Sequence, residues 1–121
     1  MASELRKVAL ESEDIGEELH EVKEWGITVL VKGMTAKQRA RLLKKSTVDG
    51  ILNMEVWFPD LVIATTYDPK DGEKVFVPAD RDALNEKSGA AIAGLADVAA
   101  RLSGLGDKDV QESKEELQDE S

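Results

Sequence analysis

The sequence of 121 residues contains no cysteine and a single histidine. Without cysteine the chain cannot form a disulfide, a cysteine-ligated zinc site or an iron–sulfur cluster, and it has no thiolate nucleophile. No apolar run approaches the roughly 20 residues that a membrane-spanning helix needs. The opening residues, MASELRKVALESED, also lack the apolar core of a signal peptide. We therefore expect a soluble protein that is made and kept inside a cell.

Aromatic and basic residues are both in the minority. Only 4% of the residues are aromatic, and 16 basic residues stand against 25 acidic ones, which gives a net charge of −9 at pH 7. A surplus of negative charge repels phosphate, so we expect no nucleic-acid partner. The five aromatic residues are Trp25, Trp57, Phe58, Tyr67 and Phe76.

The charges are concentrated in three blocks. Residues 11–24 contain seven acids and one base, residues 32–45 contain six bases and no acid, and residues 107–121 contain seven acids and two bases. Two interpretations remain open: solvated faces with an acidic tail that aids solubility, or complementary patches. Such patches would either join identical subunits head to tail or neutralise each other within one subunit. If the patches join subunits, self-association runs through a basic group, Lys37, Arg41, Lys44 and Lys45, and an acidic group, Glu17, Glu18 and Glu21.

The length corresponds to one domain. We predict a flexible segment or short helix over 1–16, a single globular domain over 17–105 and an acidic, flexible tail over 106–121. The fold class is α+β, with a small N-terminal β-hairpin followed by three or four packed helices.

Alternating residues predict the hairpin. From Trp25 to Lys32 apolar β-branched positions recur with period two, which is typical of a strand. The segment 19–22 is the expected second arm, and 23–26 is the expected turn. Because two strands alone are marginal, a helix must cover their apolar face.

Capping residues and apolar spacing predict the helices. Thr35 and Gln38 have the spacing of a capping box before a helix over 36–46. We expect Asp49 to cap a further helix within 48–58, whereas 59–66 is compatible with a short helix, with Pro59 in its first turn, or with a strand.

The C-terminal part is expected to hold the main core helix. Pro78 opens a helical turn, and a helix then runs from 85 to 103 with Asn85 as its cap. Its many glycines and alanines let a neighbouring backbone approach closely, so we expect it in the core or against another copy. Gly104 is expected to end it in the left-handed conformation.

No group of residues predicts catalysis. His20 has no partner of the kind a general base needs, and we interpret it as a bystander. The acids Asp68 and Asp71 lie in a Pro- and Gly-containing segment that is typical of a turn, and their spacing does not fit a calcium loop. We therefore expect no enzyme, no cofactor and no metal site.

Aromatic residues at predicted turns and junctions are the candidate binding residues. For Trp57 and Phe58 the alternative to partner binding is that their side chains fill the core. Trp25 lies at a predicted turn, where a tryptophan is a good anchor for an apolar helix of a partner. The residues that we predict to contact a partner are Trp25, Trp57, Phe58, Ile27 and Val29.

Three blocks together resemble a known family. The blocks are EVKEWGITVLVKGMT, LVIATTYDPKDGEKVFVPADRDAL and NEKSGAAIAGLADVAARLSGLG. In this order, and followed by an acidic tail, they resemble the tail assembly chaperones of long-tailed (siphovirus-type) phages and prophages, especially those of actinobacteria. The resemblance covers about residues 17 to 110.

The resemblance implies a function. Such chaperones bind the tape measure protein, a long and largely helical protein, and keep it soluble until tail tube subunits polymerise around it. It also implies a location in the host cytoplasm, absence from the mature virion, self-association, and, in many members, a longer frameshifted form that recruits tube protein.

Two other functions are compatible with the residues alone. A small acidic inhibitor or antitoxin-like protein would use the negative charge to occupy a basic target. A structural tail component would remain in the finished particle.

Overall fold

The computed structural model describes residues 2–105, and it begins with helix α1, Ala2–Glu11. The described side chains of α1 are all exposed. The flexibility expected of residues 1–16 stays a prediction, and the acidic tail expected over 106–121 lies outside the described residues.

The predicted hairpin is confirmed. Strands β1, Glu17–Val22, and β2, Ile27–Lys32, pair antiparallel, with Val22 opposite Ile27 next to the turn. Gly26 lies in that turn with φ of 65°, a left-handed conformation that glycine adopts without strain. The fold class is α+β as predicted, since four α-helices follow this hairpin among the described residues.

Helix α2, Ala36–Ser46, begins at the predicted capping box. The Thr35 hydroxyl accepts a hydrogen bond from the Gln38 amide at 3.1 Å, and the Gln38 side chain accepts one from the Thr35 amide at 2.9 Å. These bonds satisfy two backbone donors that the first helical turn would otherwise leave free.

A second, tight hairpin follows α2, formed by β3, Thr47–Val48, and β4, Ile51–Leu52. The prediction that Asp49 caps a helix is wrong, because Asp49 and Gly50 form the two-residue turn of this hairpin with φ of 53° and 78°. Asp-Gly is a strong signal for such a turn. The true cap is Asn53, whose side chain accepts a hydrogen bond from the Glu55 amide at 3.0 Å.

Helix α3, Met54–Thr65, spans parts of two segments, 48–58 and 59–66, that were predicted to be separate elements. Pro59 lies in the middle of this helix and not in a first turn. Strand β5, Thr66–Tyr67, follows directly and pairs antiparallel with β2, which completes a sheet of order β1-β2-β5. Of the two alternatives for 59–66, the helix is therefore correct for residues 59–65, and only Thr66 belongs to a strand. A helix buried on most sides shows no amphipathic period, which explains the ambiguity.

The helix predicted over 85–103 is present but begins four residues later, since α5 runs over Gly89–Leu102. The helical turn predicted at Pro78 is confirmed: a 3₁₀ turn, Pro78–Asp80, leads into the short helix α4, Arg81–Asn85. The cap of α5 is Ser88, which accepts from the Ala91 amide, so the prediction for Asn85 is wrong. The expected end is confirmed: Gly104 has φ of 77°, and the next amide, Leu105, donates to the Ala100 carbonyl at 2.8 Å.

The core lies where α3 and the sheet meet α5. The small side chains of Ala91, Ala96 and Ala99 are buried there, together with Leu61 of α3 and Val31 of β2. The small residues of α5 therefore allow close packing within one chain. Among residues 2–105, no helix combines the length and apolar character that crossing a bilayer requires.

The connection between β2 and α2 lies directly on the last turn of α5. A Cβ atom at Gly33 would lie only 2.4 Å from the carbonyl oxygen of Leu102. The next amide, Met34, donates a hydrogen bond to the Ser103 hydroxyl at 3.0 Å. Only glycine allows this approach, since the opposing atoms belong to backbone that is itself held by hydrogen bonds.

We predict that Gly33→Ala lowers the free energy of unfolding by about 2–4 kcal/mol, because the new methyl group overlaps the Leu102 carbonyl and must displace α5. Urea unfolding followed by circular dichroism measures this change. The matched control is Gly89→Ala, where a Cβ atom meets nothing within 4 Å. An equal effect of the two substitutions would contradict the close packing of Gly33 against Leu102.

Candidate functional site

An apolar groove lies between α3, α4 and α5. Its volume is about 310 Å³. Buried side chains of Leu84 and Ile92 form its floor, and half-buried Met54 and Phe58 form one wall. The remaining lining residues are Glu55, Asn85, Lys87, Gly89 and Ala93.

The groove exists because α5 presents little side-chain bulk on this side. Gly89 and Ala93 are both exposed and lie one helical turn apart. Larger residues at these two positions would fill the space opposite Phe58. Charged groups are confined to Glu55 and Lys87, both exposed, so an apolar side chain could enter without stripping water from a buried charge.

A proline inside α3 fixes the wall of the groove. Pro59 has no backbone N–H, so the Glu55 carbonyl, four residues earlier, loses its helical partner. The side chain of Asn85 donates to this carbonyl at 2.9 Å. The bond replaces the missing helical hydrogen bond and attaches the end of α4 to the start of α3.

A buried carboxylate fixes the other end of α4. Asp60 follows the proline, and its side chain is only 4% exposed. Arg81 donates two hydrogen bonds to it, at 2.8 and 2.7 Å, and the Lys45 ammonium lies 2.7 Å from Oδ2. Burial raises the pKa of Asp60, but the hydrogen bonds and charges of Arg81 and Lys45 outweigh burial, so this pKa lies below its ordinary value. Asp60 is therefore ionised and joins α2, α3 and α4.

The lining chemistry supports binding and not covalent chemistry. Leu, Ile, Met, Phe and Ala side chains surround the space, and the polar groups at its rim are one carboxylate, one amide and one ammonium. Residues 2–105 contain no cluster of three or more potential metal ligands from His, Asp and Glu. The groove can hold an apolar side chain of a partner.

The predicted binding residues do not form one surface. Phe58 lies in the groove. Trp25 lies at the end of the first hairpin, half-buried, where its ring meets that of Phe76 edge to face with centroids 6.2 Å apart. Ile27, next to that hairpin turn, is 42% exposed, and Val77 beside Phe76 is 58% exposed. The hairpin end is therefore a second apolar surface.

Two predicted binding residues are in the core. Val29 is 3% exposed and packs between the sheet and the helices, whereas Trp57 is 9% exposed. In the folded chain these side chains offer no surface to a partner. The binding role remains a prediction for Trp25, Ile27 and Phe58.

The residues predicted for self-association lie mostly at the surface, and two of them have partners within the chain. Lys45 pairs with Asp60, and Glu18 pairs with Arg101 at 2.6 Å. The exposed members are Lys37, Arg41, Lys44, Lys45, Glu17 and Glu21, whereas Glu18 is half-buried. Their role in joining subunits remains a prediction.

Sequence reasoning missed several groove residues. Met54 and Ile92 resemble ordinary core positions, and Ala93 is one of many small residues in α5. The proline inside an apolar segment was the one local signal, because it implies a carbonyl that needs a donor from elsewhere. The Trp25–Phe76 contact joins residues 51 positions apart, which no local pattern indicates.

The arrangement of these elements matches a solved structure. The fold is that of the bacteriophage HK97 tail assembly chaperone. The TM-score is 0.54, the identity is 19%, and the match covers 83% of this chain and 97% of that chain. The likeness shows that the two chains share their fold over almost the whole of that chaperone. No family model matches the sequence, and no curated protein matches it.

We predict that Asp60→Asn lowers the free energy of unfolding at pH 7 by about 2–3 kcal/mol. This is below the value of about 3–5 kcal/mol for fully buried pairs, because Lys45 is half exposed. Since the folded-state pKa is depressed, the contribution of Asp60 is complete above its ordinary pKa of 3.8 and is lost as the pH falls through the folded-state value.

Urea unfolding between pH 7 and pH 2 measures this effect. The difference between wild type and Asp60→Asn should shrink as the pH falls below 3.8. The control is Glu18→Gln, which breaks the exposed pair with Arg101 and should cost no more than about 1 kcal/mol. Equal costs at pH 7, or a difference that does not depend on pH, would contradict the role of Asp60.

We predict that Asn85→Ala costs about 0.5–1.5 kcal/mol, because the Glu55 carbonyl loses its donor. In a Pro59→Ala background the helix regains its own amide donor, so the same substitution should cost close to nothing. A double-mutant cycle by urea unfolding measures the coupling between the two residues. A cost of Asn85→Ala that is the same in both backgrounds would show that Asn85 does not compensate for the proline.

Proposed function

We propose that this chain is a tail assembly chaperone of a long-tailed phage or prophage, which binds the tape measure protein and keeps it soluble until tail tube subunits assemble around it. The observation that carries the proposal is the fold shared with the HK97 tail assembly chaperone. The three sequence blocks that resemble chaperones of actinobacterial phages favour that branch.

The physical chemistry of the surface supports this role. A protein that holds an aggregation-prone helical client needs an apolar surface for contact and a charged remainder that keeps the complex in solution. The groove of α3, α4 and α5 and the hairpin end around Trp25 supply apolar surface. The net charge of −9 supplies the second requirement. No catalytic group is needed, so we propose that the chain is not an enzyme.

We assign the groove as the main client site. An amphipathic helix presents apolar side chains at intervals of three and four residues, and one of them would enter the space between Phe58 and Ala93. Glu55 and Lys87 at the rim carry opposite charges and can pair with polar residues on the client. The hairpin end would contact an adjacent part of the same client.

Weak individual contacts suit the proposed role. Many chaperone copies along one long client hold it strongly through their high effective concentration, whereas a growing tube displaces them one at a time. Self-association of the chaperone would add to this effect. We propose that the complex forms in the host cytoplasm and that the chaperone is absent from the mature virion. A longer frameshifted form that recruits tube protein would complete the assembly.

Co-expression with the tape measure protein of the same genome tests the proposal. We expect this chain to raise the soluble fraction of that protein and to co-purify with it. Ala93→Arg should weaken binding by about tenfold or more, equivalent to about 1.4 kcal/mol, since the arginine side chain fills the groove. Ala90→Arg is the matched control, because Ala90 is also exposed on α5 but does not line the groove.

Equal binding by the two arginine variants would contradict the groove as the client site. The chaperone function itself would be contradicted by unchanged solubility of the tape measure protein, or by this chain inside purified particles. The last result would instead favour a structural tail component. Stoichiometric binding to one folded, basic protein would favour an acidic inhibitor.

A further inference from the structure

One face of α2 carries a continuous row of positive charge. Lys37, Arg41 and Lys44 follow one another at spacings of four and three residues, which places them on the same side of the helix. All three are exposed, whereas Leu42 and Ser46 point into the protein and are buried. The helix contains no acidic residue.

These charges have no counter-charge in the part of the chain that the structure describes. Over residues 2–105, Lys37, Arg41 and Lys44 form no ion pair, and neither does Arg39 on the same helix. Lys45 is different, because it is paired with the buried Asp60. A row of unpaired like charges on one helix repels itself, so an acidic segment that covers it would be stabilising.

The described chain ends beside this helix. A Cβ atom at Gly104 would lie 3.7 Å from Nη1 of Arg39. The hydrogen bond from the Met34 amide to the Ser103 hydroxyl fixes the end of α5 against the residues that lead into α2. The segment that continues beyond Leu105 therefore starts within reach of the first turns of α2.

That C-terminal segment is strongly acidic in sequence. Residues 107–121 contain seven acids and two bases. The 16 residues after Leu105 can extend over roughly 50 Å, whereas α2 is about 16 Å long. Length and charge therefore both allow this segment to lie along the whole basic row.

We propose that residues 106–121 bind the basic face of α2 in the same chain. The tether gives the segment an effective concentration of the order of millimolar at this face, which favours it over the acidic block 11–24 of a neighbouring copy. Bound there, the segment shields the face from other acidic partners. The inference does not depend on the proposed function.

A spin label tests the contact in the full-length chain. Since the sequence has no cysteine, Ser113→Cys gives a single labelling site. At about 0.01 M salt we expect the label to broaden the amide signals of Lys37–Lys44 several-fold more than those of the hairpin turn 23–26. At about 1 M salt, where the Debye length falls from about 30 Å to about 3 Å, the difference should disappear.

Two controls make the result specific. Lys37→Glu, Arg41→Glu and Lys44→Glu together should abolish the broadening, whereas the matched set Lys23→Glu, Lys70→Glu and Lys74→Glu changes the net charge equally and should leave it. The broadening should also disappear when isotope-labelled chains are mixed with separate spin-labelled chains, because the contact lies within one chain. Neither this mixing experiment nor the salt series requires a charge variant.

The proposal is overturned if the broadening spreads evenly over the surface or persists at high salt. It is equally overturned if the broadening survives in the α2 variant, or if it appears between separate chains, which would assign the basic face to self-association.

Discussion

Two polar groups of α3 take partners from α4: the buried carboxylate of Asp60, and the carbonyl of Glu55, which Pro59 leaves without a helical donor. Arg81 and Asn85, at the two ends of α4, supply them. A five-residue helix is far too short to be stable alone. These bonds, together with burial of its one core side chain, fix α4 on α3, and the groove depends on that placement.

The same arrangement explains why the surface is suited to binding. α4 and α3 are held by directional bonds, so the floor and one wall of the groove have a defined geometry, whereas the opposite wall on α5 is open because it carries Gly89 and Ala93. The close packing of α5 elsewhere, at Gly33 and over the sheet, uses the same property of small residues. Small residues thus allow tight packing inside the chain and also leave an unfilled space at its surface.

Most helices and strands could be predicted from residues that are neighbours in sequence. The candidate site could not, because contacts between residues far apart in sequence form it. The hairpin, the capping box at Thr35 and the glycine end of α5 were predictable because each depends on neighbours in sequence. The Asp-Gly turn at 49–50 was equally local but was interpreted as a helix cap. The sequence could not place Asp60 with Arg81, which lies 21 residues away, because the pairing depends on how α3 and α4 pack. For the same reason the sequence could not show that Trp57 lies in the core whereas its neighbour Phe58 lines the groove.

The apolar groove, on an otherwise acidic chain, is the surface that we propose holds a helical protein client. Hydrogen–deuterium exchange of this chain, alone and in complex with the tape measure protein of its own genome, tests that role directly. We expect slower exchange over 54–58 and 89–93, the segments of α3 and α5 that border the groove. Protection confined to other surfaces, or exchange rates that the tape measure protein leaves unchanged, would contradict it.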